Sequence, residues 1–163
     1  MQLATKIGAA AISTCLALAP TAANAASGTI TYQNYVKAVI NKTLILPKTG
    51  CANIKFTYKL AGSLSYFNQF VSFKLSQKKG DILIGNTMVL PGNPAPDPGE
   101  YNKWSGTAKM KVCRQKWTEL DGDGEPGTTY DRTKNGVCQF SAELWQVEPF
   151  LVRDTNSVSV TIK

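Results

Sequence analysis

The stretch from Cys51 to Leu60 reads CANIKFTYKL and decides the fold class. Its apolar side chains alternate with polar ones: Ile54, Phe56, Tyr58 and Leu60 against Asn53, Lys55, Thr57 and Lys59. A period of two residues is typical of a β-strand with one buried face, because successive side chains point to opposite sides. We therefore predict a strand here, with an apolar face in the core and a polar, basic face in water.

The same alternation recurs along the chain. Its apolar positions are Val71, Phe73 and Leu75, then Ala108, Met110 and Val112, then Phe140, Ala142 and Leu144, and finally Val158, Val160 and Ile162. A turn at Lys79–Asp81 joins the first of these segments to a further strand over Ile82–Val89, which predicts a hairpin. An early strand around Thr29–Tyr32 completes the set. Leu64–Leu75 also fits a helical stripe, so a short helix before its strand remains an alternative.

About seven strands without a convincing long helix predict an all-β fold, a two-sheet antiparallel sandwich. In strand number and spacing the chain resembles the immunoglobulin-like and fibronectin type III-like sandwiches. That resemblance implies a fold and no activity, since these sandwiches carry many unrelated functions. A jelly roll or a small barrel is the alternative architecture.

Residues 1–25 have the features of a secretory signal peptide. Lys6 precedes an apolar stretch over Ile7–Ala19, and small residues at Ala23 and Ala25 suit cleavage near Ala25. We predict a single mature domain over 26–163, secreted or located in the periplasm or at the cell surface. The apolar stretch is shorter than the roughly 20 residues that span a bilayer, so we expect no transmembrane segment in the mature chain.

The chain carries a net charge of +7. Export makes nucleic acid an unexpected partner, which leaves an envelope polymer or a secreted protein as the partner classes. Ordinary solubility explains a charge of this size equally well.

Three cysteines follow the predicted cleavage point, in a compartment where disulfides persist. Cys51 and Cys113 share the outward parity of two strands expected to be neighbours, so we predict a bridge between them. Cys138 has inward parity and is then a small buried hydrophobe, although a bridge between Cys113 and Cys138 remains open. The chain has no CxxC motif and no histidine, so we predict neither a zinc site nor a cofactor.

An acidic run over residues 121–125 is the one stretch that resembles a metal site. Asp121, Asp123 and Glu125 alternate with glycines and could offer oxygen ligands to calcium. Pro126 and Arg132, however, stand where the EF-hand pattern requires glycine and glutamate. We favour a flexible acidic loop and keep the three carboxylates as a weak calcium candidate only.

Catalytic residues are not apparent in this sequence. Without histidine the chain has no Ser-His-Asp or Cys-His arrangement, and no acid pairs with a base across a recognisable cleft. We predict a protein that is not an enzyme and name no catalytic residue.

Candidate binding residues fall into two groups. Outward parity on neighbouring strands gives one sheet a basic face, formed by Lys55, Lys59, Lys109 and Lys111. Large aromatics on loops or in the outward register commonly anchor a partner or a sugar ring, and here they are Tyr101, Trp117 and Trp145. Surface lysines also prevent aggregation between sheet edges, and an aromatic under a folded loop has the same sequence signature.

Together these features predict a secreted or envelope-associated, non-catalytic binding or structural module of unknown ligand, for which an anionic polymer or a protein is the candidate. The alternative is an inhibitor of an extracellular hydrolase that inserts a long loop, 91–102 or 117–130, into a cleft. The third hypothesis is an enzyme of unrecognised type.

Overall fold

The computed structural model describes residues 26–64, 67–77, 81–92 and 104–163, and within these ranges it contains twelve strands and no helix. The strands are β1 (Ser27–Tyr32), β2 (Val36–Asn41), β3 (Thr43–Leu44), β4 (Cys51–Leu60), β5 (Gln69–Gln77), β6 (Ile82–Val89), β7 (Ser105–Cys113), β8 (Trp117–Leu120), β9 (Pro126–Tyr130), β10 (Gly136–Gln146), β11 (Leu151–Asp154) and β12 (Val158–Ile162). In these ranges, therefore, nothing helical has the length and apolarity needed to cross a bilayer.

Two sheets form the body of the fold. The four-stranded sheet has the order β1-β2-β4-β7, and the six-stranded sheet has the order β3-β12-β10-β5-β6 with β11 also on β10. Neighbours are antiparallel except β3 and β12, which are parallel. β8 and β9 make a separate two-stranded sheet. The prediction of an all-β fold with antiparallel sheets is confirmed.

The predicted number of about seven strands is too low. β2, β3 and β11 were missed, and β8 with β9 occupies the predicted 117–130 loop. Short strands give too few alternating positions for a periodicity to be recognised, and their pairing partners decide whether they form. The helical alternative for Leu64–Leu75 is wrong, since β5 covers Gln69–Gln77, whereas the hairpin of β5 and β6 is confirmed.

Aromatic rings from both sheets meet in the centre of the core. The ring of Phe56 on β4 lies 4.8 Å from that of Phe73 on β5 and 5.2 Å from that of Phe140 on β10. All three side chains are buried, as are their inward neighbours Ile54, Tyr58 and Leu60 on β4 and Cys138, Ala142 and Leu144 on β10. Because such rings bury a large apolar area, this contact holds the two sheets face to face.

A close approach of backbone closes the sandwich at the β6–β7 corner. A Cβ atom added at Gly85 would lie 2.9 Å from Sδ of Met110 and 3.0 Å from the carbonyl oxygen of Lys111. Only glycine fits without movement of β7, so Gly85 lets β6 run beside β7. This corner places Asn86 and Thr87 next to the outward face of the four-stranded sheet.

The predicted disulfide between Cys51 and Cys113 is present, between register partners of β4 and β7 that are 62 residues apart in sequence. Cys51 is exposed, whereas Cys113 is fully buried, contrary to the expectation that both sulfurs face outward. The segment after β9 lies beside β7 here, and the Thr133 N–H donates to the Cys113 carbonyl at 2.8 Å. Cys138 is buried and unbridged, and burial raises the pKa of its thiol to about 11.

Replacing both bridge cysteines, Cys51→Ala with Cys113→Ala, should lower the free energy of unfolding by about 2 to 5 kcal/mol, because the bridge closes a long loop in the unfolded chain. Urea unfolding followed by tryptophan fluorescence measures the change. The matched control is Cys138→Ala, which keeps the bridge and should therefore still lose stability when dithiothreitol is added. Equal stability of the double variant and the parent protein without reductant would contradict the prediction.

Candidate functional site

Four of the predicted binding residues lie together on the outward face of the four-stranded sheet. Lys55 on β4 is directly opposite Lys109 on β7, and both are exposed. Lys59 and Lys111 lie on the same two strands with the same parity, and they are exposed too. β2 adds Lys37, which is the exposed register partner of Lys59. We call these five residues the lysine face.

Lys37 was missed because β2 was not predicted as a strand. Its sequence, VKAVIN, buries Val36, Ala38 and Ile40 but places an apolar residue, Val39, at an outward position. That residue interrupts the alternation of apolar and polar side chains. The signal that was available is the spacing of the three buried residues, with Lys37 between the first two.

The lysine face concentrates positive charge. Cross-strand pairs of like charge, as in Lys37–Lys59 and Lys55–Lys109, each destabilise a sheet by roughly 0.2–1 kcal/mol. The ion pair found within the described ranges joins Lys74 to Glu143 in the other sheet, so Lys37, Lys55 and Lys59 have no carboxylate partner there. The face therefore presents a positive potential to anything outside the protein.

Trp117 on β8 lies at the edge of the lysine face. The Lys111 ammonium nitrogen is 4.3 Å from the centroid of the indole, a cation–π contact. The ring also stacks on Tyr130 of β9, with centroids 4.4 Å apart. Trp117 is consequently half-buried in a strand and packed against two neighbours, rather than presented on an open loop as predicted.

Trp117 forms one wall of a cleft of about 510 Å³ beside the lysine face. Asn53, Lys109 and Lys111 line its sheet side, and β6 contributes Asn86 and Thr87 at the corner closed by Gly85. The opposite wall continues from Trp117 to Leu120. The cleft thus combines two ammonium groups and the Glu119 carboxylate with amides, hydroxyls and an indole. Its sheet side, with the two lysines, suits the acidic groups of a polymer, and the amides and hydroxyls suit the polar groups along its backbone.

Tyr130 holds the β8–β9 hairpin beside the cleft. Its side chain is fully buried, and its hydroxyl donates to Oε2 of Glu119 at 3.0 Å. Burial, followed by the negative charge of Glu119, raises the pKa of Tyr130 to about 12. The neutral phenol is therefore the form that the fold accommodates.

Of the other two predicted aromatics, the one that the structure describes, Trp145, does not line this cleft. Trp145 lies on β10 in the other sheet, where its ring stacks on Phe70 at 5.6 Å and its Nε1–H donates to Oε2 of Glu143 at 2.9 Å. Tyr101 lies outside the described residues. Of the two predicted aromatics that the structure describes, Trp117 is the one placed next to the lysine face.

Asp121 organises the turn between β8 and β9. Its Oδ1 accepts hydrogen bonds from the backbone N–H groups of Asp123 at 3.0 Å and of Glu125 at 2.8 Å. Such bonds are typical of aspartate in turns. In the described part of the chain, no three side chains of the metal-binding types converge, and the weak calcium candidate stays a prediction.

The two loops of the inhibitor hypothesis have different outcomes. Most of 91–102 lies outside the described residues, although Gly92 near its start packs against Trp104 after its end. The 117–130 segment is a β-hairpin that is tied to the protein through Trp117 and Tyr130. It is therefore a wall of the cleft rather than a long free loop.

Comparison with known proteins completes the description of the site. No protein-family model, curated protein or solved structure matches this chain.

Ionisation of Tyr130 should make the fold less stable in alkali. Below about pH 9 the phenol is protonated in both the folded and the unfolded state, so its contribution to stability is constant there. Between the unfolded pKa of 10.0 and the folded pKa of about 12, the phenol ionises in the unfolded state but not in the folded one. This ionisation stabilises the unfolded state, so the free energy of unfolding falls as the pH rises. The expected loss in free energy of unfolding from Tyr130 is about 2 kcal/mol between pH 8 and about pH 11.5.

Urea unfolding at the two pH values measures this loss, and Tyr130→Phe is the control because it removes the ionising hydroxyl and keeps the ring. The variant should lose about 2 kcal/mol less than the parent over the same interval. Identical losses in the two proteins would show that Tyr130 does not titrate in this way.

Proposed function

We propose that this protein is an exported, non-catalytic binding module that holds an anionic polymer of the cell envelope against its lysine face. The observation that carries the proposal is the direct opposition of Lys37 with Lys59 and of Lys55 with Lys109 on one exposed sheet face. Lysines that face each other destabilise the isolated protein. When a polyanion is bound, the same charges would stabilise the complex.

The adjoining cleft supports the same proposal. The cation–π contact with Trp117 holds Lys111 at the rim of the cleft. Because the side chain is already ordered, it loses less conformational entropy when a ligand binds. Asn53 and Thr87 supply neutral hydrogen-bonding groups along the path. A polymer with regularly spaced acidic groups would thus find charge on the sheet and hydrogen bonds in the cleft.

Export is the second part of the proposal. The basic, apolar and small-residue segments of 1–25 support a signal peptide that is cleaved near Ala25. The Cys51–Cys113 disulfide is compatible with an oxidising compartment, since such bridges are rare in reducing ones. We infer secretion, or residence in the periplasm or at the cell surface.

We further infer that the sandwich is of the immunoglobulin-like kind. The order β12-β10-β5-β6 corresponds to the G, F, C and C′ strands of that fold, and β4-β7 corresponds to B and E. β2 pairs with β4 whereas β3 pairs in parallel with β12, as a first strand does when it crosses from one sheet to the other. The bridge here joins B to E within one sheet, which departs from the inter-sheet bridge of antibody domains.

Binding of an anionic polymer should depend on salt. The purified protein should co-sediment with envelope material from its source cells at low ionic strength and be released at high ionic strength, because exposed charges are screened within about 10 Å at 0.1 M salt. The fraction pelleted at each salt concentration is the measurement. Absence of pelleting at low salt would contradict the proposal, and pelleting that is insensitive to salt would show that the lysines do not carry it.

Two double variants of equal charge separate the lysine face from net charge. Lys55→Gln with Lys109→Gln removes one facing pair, whereas Lys48→Gln with Lys134→Gln removes two exposed lysines from loops elsewhere. The first should weaken binding to a linear polyuronate by about tenfold and the second by less than about twofold. Equal weakening would mean that only the net charge matters, and the lysine face would lose its assigned role.

A further inference from the structure

A second cavity, with a volume of about 350 Å³, lies at the end of the sandwich opposite to the Cys51–Cys113 disulfide. The turn between β1 and β2 forms one side of it, with Tyr32 and Tyr35. β5, β10 and β11 form the other side, with Gln69, Gln146 and Arg153. This volume is within the range of small-molecule sites.

The two glutamines of this cavity occupy positions that point into the sandwich. Gln69 and Gln146 are register partners with the parity of the buried residues Val71 and Leu144. Arg153 is the register partner of Leu144, and it lines the cavity while remaining exposed to solvent. Inward positions of a sheet are ordinarily apolar. Here the Gln69 amide donates to the Gln146 amide oxygen at 3.5 Å, and the Gln146 amide donates to the Glu148 carbonyl at 3.2 Å, so the two inward amides are hydrogen-bonded. At this end of the sandwich, the core is thus replaced by a polar opening.

The chemistry of the lining is specific. The rings of Tyr32 and Tyr35 lie 6.1 Å apart and nearly parallel, which provides flat surfaces for a ring to stack on. The glutamine amides have both donors and acceptors, as a ligand with several hydroxyl groups requires. Arg153 has no carboxylate partner among the residues that the structure describes, and its guanidinium geometry matches a carboxylate.

Both walls are fixed before any ligand binds. On one side, the Ala61 N–H donates to the Tyr35 carbonyl at 2.9 Å, which ties the following loop to the β1–β2 turn. On the other side, the Asn68 amide donates to the Glu148 carbonyl and accepts from the Glu148 N–H, each at 2.7 Å. A cavity with preformed walls binds with a smaller loss of conformational entropy.

We propose that this cavity binds a single acidic sugar residue, such as a uronic acid. The tyrosines stack on the pyranose ring, the glutamines bind its hydroxyl groups, and Arg153 pairs with its carboxylate. The cavity contains no lysine of the lysine face, so this proposal goes beyond polymer binding and does not depend on it.

Titration of the purified, isotope-labelled protein with sodium D-glucuronate, D-glucose and sodium acetate at constant ionic strength tests the proposal by NMR. Glucuronate should produce saturable shifts of the Gln69 and Gln146 side-chain amides, with an affinity about tenfold higher than that for glucose or acetate. Arg153→Gln should lower the affinity for glucuronate to that for glucose. Arg132→Gln, an exposed arginine outside this cavity, is the matched control and should bind like the parent.

Three results would overturn the assignment. Shifts that do not saturate would exclude a site, and equal affinities for glucuronate and acetate would show that only the carboxylate is recognised. Equal weakening in the two arginine variants would remove the role of Arg153. Because the probe is one sugar and the signals come from the cavity, none of these results bears on polymer binding by the lysine face.

Discussion

Contact of Phe56 with both Phe73 and Phe140 across the two sheets is the interaction on which the other features of this protein depend. It fixes which side of β4 faces the core, and since side chains alternate, Lys55 and Lys59 must then face water. A register slip of one residue would expose Phe56 and bury lysines. The free energy needed to bury those charges exceeds what contacts on the surface could supply. Packing of the core thereby determines where the charge lies.

The outward faces of the two sheets differ in whether their charged side chains have partners within the protein. On the six-stranded sheet, Glu143 pairs with Lys74 and also accepts a hydrogen bond from Trp145, so these two charges and the indole N–H have partners within the protein. On the four-stranded sheet, Lys55 and Lys59 have no such carboxylate among the described residues. A face whose charges are balanced internally has little to offer a charged ligand, whereas an unbalanced one attracts it at long range.

Parity along two strands was sufficient to predict that the lysines of β4 and β7 face outward, because apolar residues alternate regularly with them. The rest of the site depends on pairing that sequence does not show. Lys37 required the recognition of β2, and the environment of Trp117 required the stacking of Tyr130 from the other strand of its hairpin. Arg153 lies on a strand of four residues that was not predicted, so its position at the cavity became visible only through its pairing with Leu144.

The sequence by itself determined that this chain is all-β and that Lys55, Lys59, Lys109 and Lys111 have outward parity on two strands, whereas it left a Cys113–Cys138 bridge open beside Cys51–Cys113. Both determined features follow from a local period of two residues and from the opposite demands of apolar and charged groups for water. Only the tertiary structure decided the number and order of the strands, the packing of Trp117 and the polar opening at the end of the sandwich. These depend on contacts between segments that are far apart in the chain, and the free energy of such contacts is absent from any local pattern.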